Sequence, residues 1–242
     1  TRNTLNLLAA VKRHGVARMV FSATAADYGM PDQQVLTEDL ALAPINPYGA
    51  SKMMSERMMM DLAVAGNLTY VILRYFNVAG ADPQTRLGQA TPQATHLIKV
   101  ACECATGARD GMQIFGTDYD TRDGTCVRDY IHVEDLASAH VRALEYMNDG
   151  GDSRVLNCGY GRGFTVREVI EVVKRLSGVD FPVTESGRRD GDPEALMADN
   201  RRIRRVLDWH PAYANLDTIV QTALDWERHW QAQDHSTTDS KG

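Results

Sequence analysis

The stretch Pro47-Tyr48-Gly49-Ala50-Ser51-Lys52 decides the fold, because it opens a helix that stands between two apolar strands. The apolar periodicity of this helix continues to Gly66. A short apolar run, Met19 to Phe21, comes before the helix, and a run rich in β-branched and aromatic residues, Tyr70 to Phe76, follows it. Two buried strands connected through a helix are typical of parallel pairing, since parallel strands need a crossover connection.

The same alternation of strands and helices continues along the chain. A helix is predicted from Thr4 to His14, and Thr165 is predicted to cap a later helix that ends near Leu176. Three further helices are predicted at 97–105, 133–146 and 216–230, and one more strand at 155–157. We therefore predict an α/β fold, a doubly wound parallel sheet with a smaller C-terminal α/β lobe. The polar composition of 233–242 predicts a disordered tail.

Tyr48 and Lys52 form the most informative chemical pattern in the sequence. Their spacing of four residues places both side chains on one face of the helix. An ammonium near a phenol favours the phenolate, which can then act as a general base. Ser22 and Thr24 directly follow the first apolar strand, at the end of the sheet where ligands bind in doubly wound folds. A hydroxyl there could share a proton with the substrate, so we predict a catalytic trio of Tyr48, Lys52 and Thr24.

Composition and charge exclude several classes of function. The chain of 242 residues carries 32 acidic against 26 basic side chains, a formal net charge of -6, which argues against nucleic acid as a partner. It has no run of apolar residues long enough to span a membrane and no basic segment followed by an apolar one at its start. We therefore predict a soluble, cytoplasmic protein with no membrane partner. The four cysteines are scattered and form no CxxC pair, which predicts reduced thiols and no metal site.

The chain resembles the extended short-chain dehydrogenase/reductase superfamily, in its sugar-nucleotide epimerase branch, over nearly all of its length. The residues that carry the resemblance form four blocks, at 21–29 (FSATAADYG), 46–52 (NPYGASK), 73–81 (LRYFNVAGA) and 124–133 (GTCVRDYIHV). The resemblance implies a Rossmann-type sheet that lacks its first strand-helix units. It also implies bound NAD as cofactor and UDP-glucose and UDP-galactose as the interconverted substrates.

The resemblance assigns roles to individual residues. It makes Tyr48 the catalytic base, Lys52 the residue that contacts the nicotinamide ribose, and Thr24 the partner of the sugar O4. Ser22 and Tyr75 are expected beside the cofactor together with Tyr48 and Lys52. Substrate binding is expected from Thr24 and from a set of residues later in the chain, namely Asn77, His96, Leu97, Gln113, Phe115, Arg128, Arg189 and Asp192. Within this set, arginine would hold a phosphate and Asp192 the ribose hydroxyls, since guanidinium donates and carboxylate accepts hydrogen bonds.

Three residues depart from the family pattern. Asp27 stands where an apolar residue is usual, and we expect its carboxylate to be solvated. Lys99 replaces a common proline. Leu196 occupies a position whose bulk bears on the acceptance of N-acetylated sugars, and its size predicts a preference for UDP-glucose and UDP-galactose.

Two other functions stay open. A sugar-nucleotide 4,6-dehydratase needs an acid and a base directly after the catalytic hydroxyl, whereas Ala25 and Ala26 follow Thr24 here, which disfavours it. The second alternative is a catalytically impaired protein that only binds sugar nucleotides. The sequence contains no GxGxxG or GxxGxxG motif, which supports this alternative. UDP-xylose/UDP-arabinose and UDP-N-acetylhexosamine epimerases share the same motifs.

The resemblance also predicts the organisation of the chain. We expect residues 1–80 to be the remaining part of an NAD-binding domain and 81–232 to be mainly the UDP-sugar lobe, with some elements returning to the first domain. Thr1 is expected to be a cut point within a Rossmann sheet, and NAD retention is expected to be weak. A homodimer is expected through the helix that begins at Pro47, where methionines cluster.

Overall fold

The computed structural model describes residues 1–66 and 68–238, with side chains up to Gln233. These residues fall into two compact units. Unit 1 comprises Thr1–Phe76, Leu136–Arg162 and Leu196–Pro211, and unit 2 comprises Asn77–Asp135, Gly163–Ala195 and the chain from Ala212 onward. Each unit is therefore assembled from segments that are distant in the sequence.

Unit 1 is built around a three-stranded parallel sheet. Its strands are β1 (Arg18–Thr24), β3 (Thr69–Tyr75) and β7 (Arg154–Cys158), in the order β1-β3-β7. The helices α1 (Arg2–Arg13) and α2 (Pro47–Ala65) pack against it, and their contact with the strands is made by Val11, Ala23, Met59, Leu68 and Ile72. The short strand β2 (Val35–Leu36) pairs in parallel with the end of β10 (Ala195–Ala198), and α6 (Arg201–Leu207) follows.

Unit 2 combines two small sheets with helices. The parallel pair β4 (Asn77–Ala79) and β6 (Val127–His132) is extended by the antiparallel strand β8 (Gly163–Thr165), and β5 (Met112–Phe115) pairs in parallel with β9 (Val183–Ser186). The helices α3 (Leu97–Ala105), α5 (Val166–Ser177) and α7 (Leu216–Thr238) pack together. The remaining helix, α4 (Val133–Asn148), begins in unit 2 and continues in unit 1.

Lys99 has a structural role in unit 2. Its ammonium lies in the interior and pairs with Glu227 of α7 and with Glu103 one turn along α3. A buried lysine is stable only when it is paired, so these carboxylates fix how α3 and α7 pack.

The predicted α/β fold is confirmed, and the predicted helices and strands are all present, with ends shifted by a few residues. Thr165 caps α5 as predicted, since it exchanges hydrogen bonds with Glu168 in a capping box. The C-terminal helix departs from the prediction, because α7 continues to Thr238, beyond the expected start of the tail at Gln233. Residues 239–242 of that tail lie outside the described part. Within 1–66 and 68–238, no helix is both long and apolar enough to cross a membrane.

Candidate functional site

The first turn of α2 presents Tyr48 and Lys52, and the local sequence fixes where that turn begins. Asn46 Oδ1 accepts a hydrogen bond from the backbone N–H of Gly49 at 2.8 Å, which caps the helix. Pro47 occupies the first helical position, where the missing N–H leaves no hydrogen bond unmade. As predicted from the spacing, Tyr48 and Lys52 share a face, with Lys52 Nζ 6.0 Å from the centre of the Tyr48 ring.

The Lys52 ammonium is held at the end of β1. Its Nζ donates a hydrogen bond to the carbonyl oxygen of Ser22 at 2.8 Å and lies 5.1 Å from the centre of the Phe21 ring. This hydrogen bond uses one of the three N–H bonds of the Lys52 ammonium. The Tyr48 side chain is 52% exposed, so its hydroxyl is open to a ligand.

Three further hydroxyl groups lie at the same end of the sheet in unit 1. The parallel register of β1 and β3 places Thr24 opposite Tyr75, with Ser22 two residues before Thr24. Burial raises the pKa of Tyr75, the negative charge of a Tyr48 phenolate raises it further, and a hydrogen bond with Ser22 opposes the rise. Thr24 Oγ1 accepts a hydrogen bond from the backbone N–H of Ala26 at 3.2 Å, which leaves its O–H for another acceptor. The structure therefore brings together the side chains that we predicted for catalysis and cofactor binding.

His140 is a member of this group that the sequence did not reveal. Its Nε2 lies 2.8 Å from Ser22 Oγ, and its Nδ1 lies 2.8 Å from the carbonyl oxygen of Leu136. A carbonyl only accepts, so Nδ1 carries hydrogen, and in the neutral ring Nε2 accepts from the Ser22 hydroxyl. His140 is on α4, far from Ser22 in sequence, and no spacing signal connects the two.

Asp27 is buried, which contradicts the solvated position that we predicted. Its side chain is 0% exposed, and its carboxyl group lies beside that of Glu56. Burial and the adjacent charge of Glu56 raise the pKa of Asp27 to about 8, although Arg74 and Lys52 act in the opposite direction. The prediction was wrong because the residues that cover Asp27 come from α2 and β3, which the local sequence does not show.

Unit 2 contains a cavity of about 640 Å³, within the usual range for small-molecule sites. All the substrate-binding residues that we predicted after Thr24 line it: Asn77, His96, Leu97, Gln113, Phe115, Arg128, Arg189 and Asp192. They come from β4, the start of α3, β5, β6 and the loop that precedes β10. The predicted set thus forms one surface in this unit, and the role of each residue stays a prediction.

Charge in this cavity is mainly positive. Arg128 forms an ion pair with Asp192 and donates a hydrogen bond from Nη1 to the carbonyl oxygen of Val127 at 2.7 Å. The Arg189 guanidinium lies 3.6 Å from the centre of the Phe115 ring, a cation–π contact. A flat aromatic ring beside guanidinium groups suits a nucleobase that is linked to phosphates.

The sequence did not predict the other residues that line the cavity, among them Arg109 and Tyr130. Arg109 adds a third guanidinium, and its side chain pairs with Glu103 of α3. Tyr130 lies on β6 two residues after Arg128 and lines the same wall. Alternation along β6 would have indicated Tyr130, whereas nothing in the sequence around Arg109 points to the cavity.

Among the described residues, no group of three or more His, Cys, Asp or Glu side chains is arranged to hold a metal ion.

Comparison with known proteins identifies the family. A model of the NAD dependent epimerase/dehydratase family matches residues 1–159. The chain belongs to the NAD dependent epimerase/dehydratase family. A family member from Azospirillum brasilense, a UDP-glucose 4-epimerase, is 57% identical over 94% of this chain and 66% of its own length. The chain thus spans about two thirds of the length of this curated relative.

Solved structures of the epimerase/dehydratase family confirm the fold. The UDP-Glc/GlcNAc 4-epimerase of Campylobacter jejuni is 52% identical, with a TM-score of 0.81 over 95% of this chain and 70% of that one. The UDP-glucose 4-epimerase of Bifidobacterium longum in complex with NAD+ and UDP is 36% identical, with a TM-score of 0.87 over 93% of this chain and 68% of that one.

Proposed function

We propose that this chain carries the acid–base and nucleotide-binding residues of an NAD-dependent UDP-glucose 4-epimerase, which interconverts UDP-glucose and UDP-galactose. The observation that carries the proposal is that one cavity in unit 2 is lined by the eight substrate-binding residues that were predicted after Thr24. The similarity to UDP-glucose 4-epimerases, among them the enzymes of A. brasilense and B. longum, supports it.

The residues of unit 1 fit the nicotinamide ribose end of NAD. Lys52 keeps two N–H bonds after its contact with the Ser22 carbonyl, and the exposed Tyr48 hydroxyl is a second polar group for ribose hydroxyls. When bound, NAD would supply the hydride-transfer chemistry of the reaction. The sequence has no glycine-rich turn of the kind that holds a pyrophosphate, so this chain contributes the ribose contacts and not that turn.

The acid–base work falls to three side chains. Tyr48 as phenolate takes the proton of the sugar 4-hydroxyl, either directly or through the O–H of Thr24, and later gives it back. Lys52 stabilises the phenolate by its charge, and its hydrogen bond to the Ser22 carbonyl fixes the position of that charge. Because the proton is returned, the reaction has no net acid or base requirement.

The residues of unit 2 hold the nucleotide in this proposal. Arg128 and Arg189 would bind the diphosphate, and Asp192 would accept hydrogen bonds from the uridine ribose hydroxyls. In the structure Asp192 pairs with Arg128, and the Arg189 guanidinium lies over the Phe115 ring, so these groups already lie close together on one wall of the cavity.

The test is a coupled assay of UDP-galactose formation together with calorimetry of UDP binding. The assay compares this chain with a version that is extended by the glycine-rich half of a relative, and it includes plain, N-acetylated and pentose UDP-sugars. We expect the chain to bind UDP and the extended version to turn over UDP-glucose. Failure to bind UDP would refute the proposed role of the unit 2 cavity, and UDP binding without turnover in the extended version would favour a binding protein.

We also propose a preference for sugars without an N-acetyl group. Leu196 packs on the buried cluster of unit 1 that includes Tyr28, Leu36 and Phe76, so its bulk is held in place. Turnover of UDP-N-acetylglucosamine at a rate similar to that of UDP-glucose would refute this. The C. jejuni relative, named for both sugars, is the comparison enzyme.

A homodimer through α2 is the last part of the proposal. Methionines 53, 54, 58 and 60 line an open apolar groove of unit 1, and Met54 is 51% exposed. We expect Met54→Asp to shift the sedimentation of the protein from dimer to monomer. Val64→Asp is the control, because Val64 is 90% exposed on the same helix and lies outside the groove. The cytoplasmic location predicted from the sequence stays a prediction.

A further inference from the structure

One face of α2 runs from the exposed Tyr48 into the interior of unit 1. Tyr48, Lys52 and Glu56 follow one another at intervals of four residues, so they lie on one face of α2. Exposure falls along this face, from 52% at Tyr48 to 1% at Glu56. The buried carboxyl group of Glu56 therefore lies one helical turn from Lys52.

A second carboxyl group, that of Asp27, is packed against this buried end. It lies in the short 3₁₀ helix Ala25–Tyr28, which Thr24 caps and which contacts α2. The approach is close, since a Cβ on Gly49 would lie 2.6 Å from the carbonyl oxygen of Ala26. The 3₁₀ helix that contains Asp27 is thus packed against α2.

The charge of Arg74 acts on both carboxyl groups, and its guanidinium is hydrogen-bonded to one of them, Glu56. Arg74 donates from Nε and Nη2 to both oxygens of Glu56, and from Nη1 to the Tyr28 hydroxyl at 3.1 Å. That hydroxyl donates in turn to Asn157 at 2.7 Å. The groups whose charges act on Asp27 are Glu56 and Lys52 of α2 and Arg74 of β3. An ionised Asp27 would therefore interact with both cations, and Lys52 is the one of them that has no carboxylate partner of its own among the described residues.

We propose that Asp27 is a positioning residue that keeps its proton, and that the neutral carboxyl leaves the Lys52 ammonium as an uncompensated charge for the Tyr48 phenolate. When the O–H bond of the Asp27 carboxyl breaks, the proton passes to water and the interior gains a carboxylate. The Lys52 charge then interacts with two anions, and its stabilisation of the phenolate decreases. This inference deepens the proposed function and rests on it for the role of Tyr48.

NMR titration of the chain itself tests the proposal without any enzyme assay. We expect the Asp27 carboxyl carbon signal to titrate with a midpoint about pH 8. The side-chain signals of Lys52 are expected to shift with the same midpoint, and Asp27→Asn is expected to abolish that shift. Asp32→Asn is the control, since it removes an exposed carboxylate five residues away in the sequence and should leave the pH response of the Lys52 signals as it is in the wild type.

Two results would overturn the proposal. One is an Asp27 carboxyl that titrates in the ordinary range, about pH 4. The other is a set of Lys52 signals that does not respond to the ionisation of Asp27. If Asp27→Asn fails to fold, Asp27→Val is used to assign the NMR signal of Asp27. The titration of the wild-type protein then still decides whether the Asp27 midpoint lies near about pH 8 or near about pH 4.

The pH profile of the NAD-loaded, extended epimerase separates this inference from the proposed function. Ionisation of Asp27 is expected to lower turnover about tenfold between pH 7 and pH 9, a fall that Asp27→Asn would reduce to less than about twofold. Equal falls in both proteins would refute the coupling. Absence of turnover at every pH would refute the epimerase proposal, and the NMR titration would still decide the role of Asp27.

Discussion

At the scale of single residues, the Lys52 ammonium is held in one position beside Tyr48 by several contacts. The ammonium is tied to the Ser22 carbonyl, and Ser22 is in turn hydrogen-bonded through its side chain to His140. The backbone of β1 and the ring of Phe21 thus hold the charge beside Tyr48, with little freedom for the lysine side chain to move. A charge that is placed before the reaction starts needs no reorganisation during it.

Tyr48→Phe tests the acid–base role directly, because it removes one oxygen and keeps the ring beside Lys52. In the extended epimerase we expect turnover to fall by about 10²-fold or more, with UDP affinity unchanged. A coupled assay and calorimetry measure the two quantities. Tyr146→Phe is the matched control on α4, and a small effect of Tyr48→Phe on turnover would contradict the assignment.

Asp27 also makes a testable contribution to stability. Its folded pKa is raised to about 8, so the folded protein keeps a proton that the unfolded chain releases at about pH 4. The free energy of unfolding therefore falls as the pH rises through this window. We expect the stability of Asp27→Asn relative to wild type to increase between about pH 5 and about pH 8, as measured by urea denaturation. The stability of Asp32→Asn is expected to change with pH in the same way as that of the wild type. A stability difference between Asp27→Asn and the wild type that does not change with pH would contradict the prediction.

At the scale of secondary structure elements, the first turn of α2 depends on a close approach of backbones. Gly49 is the residue that permits it, since any Cβ there would meet the carbonyl oxygen of Ala26 in the loop after β1. The glycine within the Tyr48-to-Lys52 segment is thus needed for packing, whereas Tyr48 and Lys52 are predicted to take part in catalysis. The cap by Asn46 and the proline at 47 then fix where the helix begins.

Gly49→Ala is expected to destabilise the protein by about 1–3 kcal/mol, because backbone atoms have to move to accept the methyl group. Thermal or urea unfolding measures this. Gly66→Ala is the control at the other end of α2, where a Cβ would lie 3.5 Å from the nearest atom, an ordinary contact. Equal effects of the two substitutions would contradict the packing argument.

At the scale of the whole molecule, the residues predicted for acid–base chemistry and those predicted for nucleotide binding belong to different compact units. Tyr48, Lys52 and Thr24 are in unit 1, and the cavity that contains Arg128 and Asp192 is in unit 2. Ligand binding can therefore be followed through signals from the residues of each unit.

Hydrogen exchange with and without UDP tests this division. We expect UDP to slow exchange in β5, in β6 and at the start of α3, all in unit 2, because a bound ligand stabilises the segments that contact it. Exchange in β1 and β3 of unit 1 is expected to be unaffected. Arg189→Ala is expected to weaken the protection, and protection that is confined to unit 1 would contradict the proposed nucleotide site.

The sequence by itself determined the local structure and the chemistry of this protein. Strand and helix positions followed from apolar periodicity, the start of α2 from Asn46 and Pro47, and the shared face of Tyr48 and Lys52 from their spacing. These features depend on residues that are close in the chain. Their physical causes, capping and helical geometry, are local as well.

Only the tertiary structure decided which polar groups are buried and what they meet. Asp27 is covered by Glu56 and Arg74, and His140 reaches Ser22 from α4, although these residues are distant in the sequence. The ion pair of Arg128 with Asp192 likewise joins β6 to a later loop. Burial and electrostatic interaction depend on distances in space, and those distances exist only after the strands and helices have packed.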